Sequence, residues 1–197
     1  MKKILTILLL SSFALYAEVS PIKLYMTDIN GVKYTVTNTE EGIKISGFEN
    51  KIVFLEFFGH NCPPCLASIP HLIHLQKKYK DKLAIVSIEV QGYSTAQVKQ
   101  FAFYNKINYI VISEETASRV VSLIQQRAQW RGSIPFLVAM DRNGDVQYVQ
   151  AGLIPQEHLE KIIAQVDTIA YKKSSKENNI TKNNSIENNI TKNSSKK

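Results

Sequence analysis

Two cysteines, the only ones among 197 residues, stand together as Cys62-Pro63-Pro64-Cys65. A thiol acts as a nucleophile in its thiolate form, and a close pair can pass between dithiol and disulfide. The pair sits where ionisation is favoured. The apolar run Ile52–Phe58 ends at Gly59, and apolar residues recur at helical spacing from Pro63. The first turn of a helix carries unpaired N–H groups and the positive end of the dipole. These can lower a cysteine pKa from about 8.5 to roughly 3.5–7.5. Prolines suit that turn because its residues need no N–H.

Two other chemistries compete for the pair. A structural disulfide here would close a loop so short that it constrains the unfolded chain little. A metal site would draw on His60, His71 or His74, which are near in sequence, and the cysteines would have to turn toward them. The placement after a strand and before a helix favours redox exchange, with no metal and no cofactor beyond the Cys62–Cys65 disulfide. Glu56 is a further candidate. It lies inside the apolar run, where a carboxylate is costly unless neutral or functional, and desolvation should raise its pKa. The plain alternative is a glutamate that reaches solvent at the strand end.

These residues need a scaffold. Ile22–Met26 and Val32–Val36 flank the turn Asp28-Ile29-Asn30-Gly31, a hairpin with left-handed geometry at Asn30 or Gly31. Ile52–Phe58 and Leu83–Val90 are apolar on consecutive residues, as strands buried on both faces are. Pro63–Tyr79 reads as a helix that Pro70 should kink. Thr95–Tyr104 and Glu115–Gln129 read as helices, with a strand at Tyr109–Ile112 between them. Phe136–Met140 and Val146–Gln150 flank an Asn143-Gly144 turn and form a second hairpin, and Gln156–Ala170 is a closing helix. The alternation predicts an α/β fold with a mixed central sheet flanked by helices. Trp130, the single tryptophan, reads as packing.

The net charge of +7 suggests nucleic acid until it is divided by region. Residues 18–171 carry fifteen basic and fifteen acidic side chains, so the excess lies at the two ends and no nucleic-acid groove is implied. Two cysteines are too few for a disulfide-stapled miniature domain or a four-cysteine zinc site. Residues 1–17 have the lysines, short apolar run and small-residue end of a secretory signal peptide. The reading is therefore an exported protein of a Gram-negative periplasm, touching the membrane only through that leader if it stays uncleaved. Residues 18–171 form the domain. Residues 172–197 are Lys- and Asn-rich, without aromatics, and read as a disordered tail. A ten-residue repeat there holds the acceptor triplets at Asn179 and Asn189, each two residues after a glutamate (Glu177, Glu187). That pattern resembles the acidic sequon of bacterial oligosaccharyltransferases, which makes both asparagines glycosylation candidates.

The segment Phe57-Phe58-Gly59-His60-Asn61-Cys62-Pro63-Pro64-Cys65 resembles the active site of the thioredoxin superfamily. Pro70 matches that fold's helix proline, and Gly132-Ser133-Ile134-Pro135-Phe136 resembles its cis-proline segment. The N-terminal hairpin, the inserted strand–helix unit and the closing Gly152–Glu157 stretch are similar to the periplasmic TlpA/ResA-like branch. Asn61 departs from the pattern, since an aromatic residue usually precedes the first cysteine.

The resemblance implies a thiol–disulfide oxidoreductase. Cys62 is the exposed nucleophile, Cys65 resolves the mixed disulfide, and Glu56 moves the second cysteine's proton. Ile134 and Pro135 meet the substrate backbone. The implied partners are protein disulfides, apocytochrome c among them, and a membrane thiol electron donor. Ile134 and Glu56 resemble the reducing members, so a potential nearer about −270 than −120 mV is expected. The competing readings are a disulfide oxidase or isomerase and a copper-binding metallochaperone.

Overall fold

The structure, a computed structural model, describes residues 22–169. The leader, the tail and Asn179 and Asn189 lie outside the described residues. The chain begins with β1 (Lys23–Thr27), β2 (Lys33–Asn38) and β3 (Ile43–Ile45), which form a small antiparallel sheet in that order. Gly31 takes the left-handed position in the first turn, with φ +85°. The sequence predicts two strands here. The third is three residues long, too short for its alternation to register, and it is held by the Ile43 N–H donating to the Gly144 carbonyl at 3.0 Å.

The main sheet follows: β4 (Ile52–Phe58), α1 (Pro63–Lys78), β5 (Leu83–Glu89), α2 (Thr95–Tyr104), β6 (Ile110–Ser113), α3 (Glu114–Arg127), β7 (Phe136–Met140) and β8 (Val146–Ala151). A last helix, α4, covers residues 156–169. The strand order is β6-β5-β4-β7-β8. β4, β5 and β6 run parallel, each joined to the next through a helix, whereas β7 and β8 are antiparallel additions. The α/β reading with a mixed sheet holds. Pro70 sits within α1 without ending it.

Strand alternation divides the core. Val53, Leu55 and Phe57 of β4 join Val86 and Ile88 of β5 and pack with α3 and the small sheet. Ile52, Phe54 and Phe58 face the other way, toward Leu72 and Leu75 of α1, Val98 of α2, and Leu159, Ile162 and Val166 of α4. Residue 56 shares the parity of 54 and 58, so the period of two turns Glu56 toward α1. That is the helix whose first turn holds the cysteines.

Candidate active site

Cys62 is the N-cap of α1 in extended geometry, and Pro63 and Pro64 are its first two helical residues. Cys62 and Cys65 are joined by a disulfide, with Cα atoms 5.2 Å apart. The Cys65 N–H donates to the Cys62 sulfur at 3.3 Å, while the Leu66 N–H satisfies the Cys62 carbonyl at 3.0 Å. The sequence reading makes Cys62 exposed, and the structure corrects this. Cys62 is 6% exposed in the disulfide state, against 0% for Cys65. The order of access is as expected, but the opening is narrow.

Beside the sulfur stands the loop before β7. The Ile134–Pro135 peptide is cis, and the Ile134 carbonyl oxygen lies 3.9 Å from the Cys62 sulfur. This loop is fixed from below. Trp130 stacks on Phe136, with ring centroids 5.0 Å apart, and lies 4.6 Å from Phe57. Its indole N–H donates to the Ser133 carbonyl at 2.7 Å. The Gly152 N–H donates to the Pro135 carbonyl, also at 2.7 Å. Trp130 is packing, as its type suggests, but packing that holds the loop against the cysteines.

Glu56 does not reach solvent. It is 4% exposed and pairs in register with Ser87 of β5. The Ser87 hydroxyl donates to Oε2 at 2.5 Å, and Ser68 Oγ of α1 lies 3.0 Å from Oε1. Ser68 also lies within hydrogen-bond reach of the Cys65 carbonyl, at 2.7 Å. Burial pushes the Glu56 carboxyl up to about 7, against the lowering effect of the two serine hydroxyls. Tyr109 is pushed well above its ordinary value by burial first and by the Glu56 charge second. A cavity of about 20 Å³ touches Glu56, Ser68 and Pro135, enough for one water.

The loop ahead of Cys62 has its own anchor. Glu89, fully buried at the end of β5, accepts the N–H groups of Gln91 and Tyr93 at 3.0 Å each. His60 Nδ1 lies 2.8 Å from Glu89 Oε1, and the imidazole stacks on Tyr93 with centroids 3.5 Å apart. The Asn61 N–H donates to Gln91 Oε1 at 2.8 Å. A Cβ at Gly59 would meet the Gln91 side chain, which would have to shift to make room. His74 faces Glu160 at 3.8 Å. Both histidines thus have carboxylate partners, and no metal-ligand cluster occurs among the described residues.

The Redoxin family model matches residues 26–166. The chain belongs to the Redoxin family. Within it the chain is ResA-like and a thiol–disulfide oxidoreductase of the thioredoxin superfamily, a class that acts on protein disulfides. ResA of Geobacillus kaustophilus is 23% identical over 142 residues, which is 72% of either chain. The thioredoxin-like protein YneN of Bacillus subtilis is 24% identical over 127 residues, 64% of this chain and 71% of that one. Among solved structures, a thiol:disulfide interchange protein of Chlorobium tepidum TLS superposes with a TM-score of 0.60 at 20% identity, covering 76% of this chain and 99% of that one. StoA of Bacillus subtilis gives 0.54 at 16%, covering 72% and 96%. The structural likenesses are likenesses of fold.

Around this Redoxin-family disulfide, the sequence reading brings Cys62, Cys65, Ile134, Pro135 and Glu56 to one place, and the structure puts them in one neighbourhood. It misses Ser68, Ser87 and Glu89. Glu89 carried the same signal as Glu56, a carboxylate in an apolar strand. Ser87 becomes visible only once the β4–β5 register is known.

Proposed function

We propose that this protein reduces disulfides of exported proteins, with Cys62 as the attacking thiolate and Cys65 as the resolving thiol. The observation that carries the assignment is the Cys65 N–H aimed at the Cys62 sulfur at the start of α1. A thiolate gains there from the donor and the helix dipole, whereas Cys65 has no solvent access. Cys62 attacks the substrate disulfide and releases one substrate thiolate. The Cys65 thiol gives its proton to Glu56 and attacks the Cys62 sulfur. The second substrate thiolate leaves as the Cys62–Cys65 bond forms, so two electrons pass to the substrate. A membrane thiol donor then restores the dithiol.

The substrate chain lies along Ile134 and Pro135, beside the Cys62 sulfur. The leader-like residues 1–17 support a periplasmic setting, where apocytochrome c is one candidate substrate. The apolar Ile134 side chain, which offers the thiolate no hydrogen bond, and Glu56, a buried base that assists release of the reduced substrate, support the reducing direction. The test is capture. A Cys65→Ala variant expressed in its host should accumulate mixed disulfides through Cys62 with exported proteins, and Cys62→Ala should accumulate none. Adducts through Cys65 in the Cys62→Ala variant would reverse the roles.

A further inference from the structure

Ser68 sits where one proton must serve two acceptors. Its Oγ is 2.7 Å from the Cys65 carbonyl and 3.0 Å from Glu56 Oε1, and the side chain is buried. A hydroxyl has a single proton, so it donates to one of them at a time. The Ser87 hydroxyl lies 2.5 Å from Glu56 Oε2 and is also a hydrogen-bond partner of Tyr109, the other buried titratable group that faces Glu56, so Oε1 is the oxygen that Ser68 serves. When Glu56 carries a proton on Oε1, that proton points at Ser68 Oγ, and Ser68 donates to the Cys65 carbonyl. Every polar group is then satisfied. When Glu56 is ionised, Oε1 needs a donor and Ser68 is the hydroxyl in reach, so it turns away from Cys65.

We propose that Ser68 is the positioning residue of the resolving step, its hydroxyl turning between Cys65 and Glu56 as the carboxyl gains and loses its proton. This rests on the role given to Glu56 above. Before resolution Glu56 is ionised and held by two serine donors, ready to accept. The Cys65 thiol loses its proton to the carboxylate, its sulfur bonds to Cys62, and the substrate thiolate departs. Glu56, now neutral, donates to Ser68, and Ser68 returns to the Cys65 carbonyl, the arrangement that suits the disulfide state.

The experiment is a stopped-flow reaction of the reduced protein with dithiodipyridine. Cys62 releases the first thiopyridone and Cys65 the second, so the second phase reads the resolving step across pH. The wild-type rate should rise through an inflection belonging to the Glu56–Cys65 pair. Ser68→Ala removes one donor from the carboxylate. Its inflection should move up, with a loss of about tenfold below it that closes at high pH. Ser68→Thr keeps a hydroxyl and should return the profile toward wild type. An unshifted or lowered inflection in Ser68→Ala, or a threonine profile that follows the alanine one, overturns the proposal. Glu56→Gln separates the two levels. If the inflection stays at its wild-type pH in Glu56→Gln, the proton role of Glu56 fails and this inference with it. If Glu56→Gln moves the inflection to that of the Cys65 thiol alone while Ser68→Ala leaves it in place, the role of Ser68 alone fails.

Discussion

The Cys65 N–H points at the Cys62 sulfur from 3.3 Å, and it is the one backbone donor that the first turn of α1 can offer there. Pro63 and Pro64 occupy the two preceding helical positions and have no N–H. The Cys-Pro-Pro-Cys sequence therefore keeps the helix start while withholding a donor from the thiolate. Fewer donors favour the disulfide over the dithiol, in keeping with a reductant.

Pro64→Ala restores an N–H at the second helical position, where an N-cap acceptor is commonly served. A hydrogen bond to a charged group is worth about 1.5 kcal/mol or more. The Cys62 pKa should fall by about one unit, and the potential should rise by about 30 mV, because the reduced form gains. Alkylation rate against pH measures the first shift and a redox titration the second.

Glu56 should leave its mark on stability. Its carboxyl is near 4.5 when unfolded and about 7 when buried, so the folded state holds the extra proton between those values. Stability then falls as pH rises across that window and levels above it, by about 3 kcal/mol in all. Glu56→Gln should remove most of that fall. Urea unfolding of the oxidised protein at a series of pH values checks it, and a wild-type slope that survives in Glu56→Gln would contradict the burial argument.

The sequence showed the scaffold well because β4 and β5 are apolar on consecutive residues and apolar residues recur at helical spacing along α1 and α3. It showed the cysteines because their motif and placement are local. Glu56 could be singled out as an anomaly in an apolar run, but its partners could not. Ser87 reaches it through a parallel register, and Ser68 through the packing of α1 on that face of the sheet, and neither leaves a trace in the order of residues. The same limit hid β3, whose three residues are defined by what they pair with. The narrow exposure of Cys62 is also a tertiary fact, set in part by a loop 72 residues away in sequence.

Trp130 joins that loop to the core through its ring and its N–H. Trp130→Phe keeps a ring but loses the bond to the Ser133 carbonyl, and should cost about 1 kcal/mol while raising KM for a disulfide substrate. Trp130→Ala should cost about 3–5 kcal/mol by leaving a cavity beside Phe57 and Phe136. Equilibrium unfolding and steady-state kinetics on the two variants separate the stack from the hydrogen bond. Equal losses would mean that the indole N–H does nothing for the loop.

On the proposed function, Cys62 and Cys65 form a reducing couple. Equilibration of the purified protein with glutathione mixtures, quenched by alkylation and read by mass, gives the potential directly. One two-electron transition that involves both cysteines is expected, at a potential nearer to about −270 than −120 mV. A potential at the oxidising end, or the absence of a reversible two-electron transition, would contradict it.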